Sequence, residues 1–163
     1  MPAADPRLRA RTALLLAGGY AALIAVVGFW PERIDVPFET TIEQLLAPLE
    51  AGTGLPVMYG YKVVEFAANA LLFLPLGLIA TLALGAHRAW WAVAGGFVLS
   101  CLVELGQWLL LPDRTPSARD VLANTCGAAI GALIAVAVLA RQHRAEARRL
   151  TRSSPRPSSP SSG

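Results

Sequence analysis

Charge is scarce in this 163-residue chain: 15% of the residues are Asp, Glu, Lys or Arg, 55% are hydrophobic, and mean hydropathy is +0.50. A soluble domain carries about 25% charged residues, so this balance excludes that class and makes lipid the expected solvent. Cysteine and histidine are nearly missing, at two residues each. Cys101 and Cys126 stand alone inside apolar runs, where a thiol packs as a small hydrophobe, so neither a disulfide nor a metal site is expected of them. His87 and His143 fall outside those runs, far from the polar residues discussed below, and receive no chemical role. The chain has no GxSxG, no phosphate loop, no CxxC and no His-rich metal spacing. These absences remove the motif basis for a serine hydrolase, a P-loop nucleotide site, a dithiol centre or a zinc site, and no cofactor or metal is expected. The net charge of +3 and the pI near 9.3 do not point to nucleic acid, because the basic residues gather at the two ends of the chain.

What the chain does have is length of apolar sequence. A helix needs about 20 apolar residues to cross the roughly 30 Å hydrocarbon core, and four stretches qualify: 12–30, 63–84, 89–111 and 121–140. The first exceeds the apolar region of a signal peptide and runs into Gly28-Phe29-Trp30-Pro31 without a small-residue cleavage pattern, so it is expected to be an uncleaved helix. The predicted fold is an all-α membrane bundle of four transmembrane helices over residues 12–140. A basic N-terminus at 1–11 precedes it, and a basic, then Ser/Pro-rich disordered tail at 141–163 follows. With the N-terminus inside, ten of the fourteen Lys and Arg residues fall on the cytoplasmic side, and Arg33, Lys62, Arg114 and Arg119 fall outside. An even number of spans then returns the C-terminus to the cytoplasm. Between the first two spans, Thr40 and Glu43 match a capping box, and Ile42, Leu45, Leu46 and Leu49 follow helical spacing up to Gly52-Thr53-Gly54. This is the pattern of a short amphipathic helix resting on the membrane or capping the bundle.

Ionisable groups inside a span cost a few kcal/mol on insertion scales, so each needs a partner, a watery cavity or a task. The second span carries Glu65 and Asn69, the third Ser100, Glu104 and Gln107, and the fourth opens with Asp120 and Asn124. Spacings of four or seven residues put each set on one helical face. The topology brings all of them into the outer half of the bilayer. Glu65, Gln107 and Asp120 form a surface layer there, and Asn69, Glu104 and Asn124 a layer about one turn deeper. Arg114 and Arg119, in and after the short outer loop, are placed to pair with the acids or to grip a phosphate. Packing marks accompany the polar ones: Gly127 and Gly131 make a small-xxx-small step in the fourth span, and Pro75 with Gly77 sets a kink in the second.

These residues in this order resemble the VanZ-like family of membrane proteins. The matching segments are Glu65-Phe-Ala-Ala-Asn69-Ala-Leu-Leu-Phe73-Leu-Pro75-Leu-Gly77, Ser100-Cys-Leu-Val-Glu104-Leu-Gly-Gln107, and Arg114, Asp120, Asn124-Thr125-Cys-Gly127 with Gly131. Asn69, Phe73, Pro75, Gly77, Glu104, Gln107, Arg114, Asp120, Asn124 and Gly127 stand where the family motif has them, over about residues 60–132. Glu65 and Arg119 rest on their chemistry more than on the motif. The family takes its name from a protein associated with resistance to teicoplanin, a glycopeptide that acts on the cell envelope. The resemblance therefore implies a multi-pass fold and an envelope setting, with glycopeptide susceptibility a trait to test.

The expectation is a polar pocket in the outer leaflet that binds a membrane lipid or a lipid-linked cell-wall precursor. As an enzyme it would use Glu104 or Asp120 as general acid or base, and Glu65, Asn69, Gln107, Arg114, Arg119 and Asn124 would bind the substrate. As a binding module the same residues would only recognise. Two alternatives stand beside these: a scaffold in which the cluster is interhelical glue, and a small transporter, against which the apolar inner halves of the spans argue. Neither the ligand's identity nor the oligomeric state is written in the sequence. The topology is checked by single cysteines, Ser117→Cys and Ser158→Cys, in a background lacking Cys101 and Cys126. An impermeant thiol reagent on intact cells is expected to label position 117 and spare 158, and the opposite pattern would invert the orientation.

Overall fold

The computed structural model describes residues 6–29, 36–54, 56–111 and 115–153. Among the described residues five helices follow one another: α1 (Pro6–Gly28), α2 (Val36–Thr53), α3 (Val57–Leu84), α4 (Ala89–Leu110) and α5 (Ala118–Ser153). A single 3-10 turn, Ala86–Arg88, joins α3 to α4, and no strand occurs among the described residues. α1, α3, α4 and α5 are each long and apolar enough to cross a membrane. Their large side chains point outward: Leu15, Leu71, Leu109 and Leu133 are all more than 60% exposed. In water so wide an apolar surface would aggregate, whereas around a membrane bundle it is the face that meets lipid tails.

With lipid on the outside there is no hydrophobic drive pulling one helix onto another, so close packing must hold the bundle. The core is accordingly built from small residues. Ala123, Ala128, Ala132 and Ala135 on α5 are essentially buried, with Phe73 and Ile24 the large side chains that fill between helices. α5 and α3 touch backbone to backbone. A Cβ on Gly127 would stand 1.9 Å from the Ala70 carbonyl oxygen, one on Gly131 2.0 Å from that of Leu74, and one on Gly77 2.0 Å from that of Ala128. α4 closes on the same seam, where a Cβ on Gly96 would meet the Ala128 methyl at 2.7 Å.

α1 lies against α3 through Ala17 and Ile24. Pro75 sits within α3 and removes the amide that would serve the Leu71 carbonyl. Beside that gap the Tyr20 hydroxyl donates to the Leu72 carbonyl at 3.0 Å, the kind of partner from a neighbouring helix that lets a membrane helix keep a proline. Gly85, at φ 88°, terminates α3, a conformation that favours glycine.

Several boundaries differ from expectation: α1 starts at Pro6, before the apolar run, and α5 at Ala118. α2 starts at Val36, so Thr40 lies inside the helix, exposed, and is not its cap; Pro37 in the first turn, where no amide partner is needed, starts the helix a turn earlier. Its end is as expected near Gly54, at φ 71°, with Gly52 still helical. Leu46 packs on Gly60 of α3 while Leu45 points away; the side chains of Ile42, Glu43 and Leu49 lie outside the described residues. α3 begins at Val57, before the apolar run does. α5 continues past residue 140 to Ser153, because Arg, Gln, Glu and Ala end an apolar span while remaining good helix formers. Trp30 and residues 154–163, with the expected disordered tail, lie outside the described residues.

The seam predicts a contrast between two glycines. Gly127→Ala pushes a methyl into backbone that cannot move aside and is expected to lower stability by about 2 kcal/mol or more, read by unfolding in detergent. Gly95→Ala, where no atom lies within 4 Å, is expected to be neutral or stabilising by up to about 1 kcal/mol through helix propensity. Equal effects at the two positions would contradict the seam.

Candidate functional site

The polar residues collect at the end of the bundle where α4 stops and α5 starts. The first turn of a helix leaves amides without intrahelical partners, and Ser117 serves this one. Its hydroxyl accepts from the Asp120 amide at 3.2 Å, and its carbonyl accepts from Asp120 and Val121 at 3.0 and 3.2 Å. Ser117 was given no structural role by the sequence analysis. The signal is in Ser117-Ala-Arg-Asp120 ahead of an apolar run, a capping pattern.

Above that cap sits Glu104 of α4, 9% exposed, with Oε2 accepting the Ser117 backbone N–H at 2.7 Å. The carboxylate of one helix thus meets the N-terminus of another. One turn deeper, Asn124 Nδ2 donates to Ser100 Oγ at 2.8 Å in a buried contact. Nearer the rim, Arg119 of α5 forms an ion pair with Glu65 of α3 through Nη2 and Oε2, with side chains 37% and 30% exposed. Asn69 is half-buried, beside Ala70, whose carbonyl meets Gly127.

The layering expected from residue counts shifts by a turn. Glu104 is level with the start of α5 and Asn124 with Ser100, because the height of α5 is set by its glycine seam with α3 and not by where its apolar run begins. Gln107 turns toward α1: its Nε2 donates to the Gly28 carbonyl at 2.7 Å, and next to it Gly106 leaves room for the Phe29 ring. That contact satisfies a carbonyl in the last turn of α1 and docks the helix end, a bonding role that the sequence did not suggest. Arg114 lies outside the described residues. Among the described residues no three His, Cys, Asp or Glu side chains gather as a metal site would require. Cys101 and Cys126 are both free.

Not every polar atom at this end is satisfied. Arg119 Nε, Asp120 Oδ1 and Asn124 Oδ1 are buried and make no hydrogen bond. All three belong to the first two turns of α5. They amount to one donor and two acceptors in a place where buried polar groups are otherwise paired.

Fold and cluster together define a multi-pass helical membrane protein with acids, amides and an arginine at one end of its bundle. Comparison with protein families goes further: the model of the VanZ/LLP1 family matches residues 15–140, and the chain belongs to that family. The match takes in most of α1 as well as α2, α3 and α4, and ends inside α5 where the apolar part ends. No curated protein and no solved structure matches the chain.

The Ser100–Asn124 contact is open to a double-mutant cycle. Ser100→Ala, Asn124→Leu and the pair, unfolded in detergent, are expected to show a coupling of about 0.6 kcal/mol, typical of interhelical bonds in membranes. A coupling of zero would remove the bond from the fold.

Proposed function

We propose that the protein lies in the cell membrane with both termini in the cytoplasm, and that its polar end faces outward and binds the head group of a membrane lipid or lipid-linked envelope precursor. The orientation rests on the ten-to-four distribution of basic residues and on an even number of spans. The binding reading rests on the three unpaired buried atoms of Arg119, Asp120 and Asn124. Interhelical glue accounts well for Ser100, Gln107 and the Ser117 cap, since each closes a bond between helices or at a helix end. Thr81 Oγ1 is also buried without a bond, but alone; glue does not account for a donor and two acceptors left unpaired within two turns of one helix, which are costly unless something else supplies partners.

In this reading Arg119 holds an anionic group, and Arg114, which lies outside the described residues, is a second candidate for it by its place in the sequence. Asp120 and Asn124 accept from hydroxyl or amine donors, and Asn69 lines the approach. Glu104 is the acid/base candidate should the bound group also react. Its contact with the α5 N-terminus gives it a second, purely structural task. Transport would require polar residues continuing to the far end, where Thr81 is the buried polar side chain among the described residues. Glycopeptide susceptibility follows as a cellular readout if the head group belongs to the wall pathway.

The test measures lipid retained through purification, by mass spectrometry, beside thermal stability. Asn124→Leu is expected to lose bound lipid about tenfold, the effect of one hydrogen bond of about 1.4 kcal/mol, while still folding. Glu104→Gln is expected to keep both lipid and fold, and to abolish any turnover if the glutamate transfers a proton. A wild-type protein that retains no lipid, with Asn124→Leu merely less stable, would leave the cluster as glue.

A further inference from the structure

The ion pair between Arg119 and Glu65 is incomplete in an informative way. A guanidinium presents Nε–H and Nη2–H side by side along one edge, a fork that matches the two oxygens of a carboxylate or phosphate. Glu65 uses only the Nη2 position, and Nε on the same edge is buried without a partner. A structural pair free to optimise would close both bonds, since two parallel contacts are stronger than one. Both side chains are about one-third exposed, so the pair is reached from the end of the bundle, while Nε itself is covered until the pair opens.

The neighbours narrow what can take that place. Asp120 Oδ1 carries negative charge and lacks a donor, and Asn124 Oδ1, on a side chain 7% exposed, lacks one too. A bare anion would gain the Arg119 fork and then stand against Asp120. A phosphate diester with hydroxyl groups a few bonds away offers the chemistry these atoms lack: phosphate oxygens to accept from Arg119, and hydroxyls to donate to Asp120 and Asn124.

We infer that Glu65 is a stand-in for the ligand: it occupies half of the Arg119 fork, and a phosphodiester head group bearing hydroxyl donors binds by exchanging for it. This rests on the head-group reading above and names both the ligand's chemistry and the residue that competes with it. Glu65 is then an internal competitor that lowers affinity, the reverse of a binding residue. Removing its charge tightens binding, and removing Arg119 weakens it.

The experiment uses the full chain in detergent and dihexanoyl-phosphatidylglycerol as the probe. Dihexanoyl-phosphatidylcholine serves as the phosphodiester without hydroxyl donors, and sn-glycerol 3-phosphate as the phosphate without acyl chains. Affinity is read from ligand-induced thermal stabilisation. Glu65→Gln is expected to bind phosphatidylglycerol about two- to fivefold tighter, the effect of releasing an exposed ion pair. Arg119→Gln is expected to bind it at least about tenfold more weakly, with Arg119→Lys between that variant and wild type because it keeps the charge and loses the fork. Should Glu65→Gln fail to fold, Glu65→Asp, one methylene short of Arg119, is expected to show the same tightening. A wild-type protein that does not prefer phosphatidylglycerol to phosphatidylcholine sinks the head-group reading and this inference together. A wild type with that preference, whose Glu65 variants bind no tighter, overturns the exchange alone and makes Glu65 a brace for Arg119. Glycerol phosphate binding as well as the lipid would overturn the lipid as source.

Discussion

At Gly127 and Gly131 the backbone of α5 comes so near the carbonyls of Ala70 and Leu74 that neither position has room for a methyl group, and Gly77 returns the contact from α3 against Ala128. Lipid tails are as apolar as leucine, so helices in a bilayer are joined by the closeness of their packing and by bonds they make to one another. This seam supplies the closeness. It also fixes the height of α5 against α3, and through Gly96 and Ala128 the height of α4 against both. The position of every polar residue at the end of the bundle follows from those heights.

The polar end is where the membrane's other demand is felt, that buried donors and acceptors find partners inside the protein. Most do. Glu104 reaches the backbone of Ser117, Asn124 reaches Ser100, Gln107 reaches the end of α1, and Tyr20 serves a carbonyl beside the Pro75 gap. Against that background Arg119 Nε, Asp120 Oδ1 and Asn124 Oδ1 stand together at this end, and Thr81 Oγ1 alone toward the other, as buried atoms without a bond among the described residues. Gln107 and Asn124 are both amides that donate one bond through their nitrogen, yet the oxygen of Asn124 is buried without a partner. Residue type alone does not separate scaffold from site.

Much of the fold is legible in the sequence because the bilayer is a simple solvent. An apolar run of sufficient length has one stable arrangement in lipid, a helix, since no other single segment satisfies its own backbone. The four spans and the Gly127–Gly131 step could be read without coordinates. So could the candidates for a polar end, Glu65, Asn69, Glu104, Gln107, Asp120 and Asn124, though not their partners. Where the reading failed, helix propensity and solvation had parted: α5 runs on to Ser153 through arginines that would leave a membrane but not a helix, and α2 begins at Val36 because of Pro37.

By itself, then, the sequence determined which segments cross the membrane and which residues are too polar to face lipid, because both depend on the composition of a single helix. Only the tertiary structure decided who meets whom. Glu65 pairs with Arg119 across 54 positions and Gln107 with Gly28 across 79, and no count along one helix specifies such contacts. They depend on the relative height and rotation of neighbouring helices, which a few missing side chains at Gly77, Gly96, Gly127 and Gly131 set by allowing backbones to touch. The same register leaves Arg119 Nε, Asp120 Oδ1 and Asn124 Oδ1 without partners, and a residue's being unsatisfied is a property of its surroundings that its own identity cannot state.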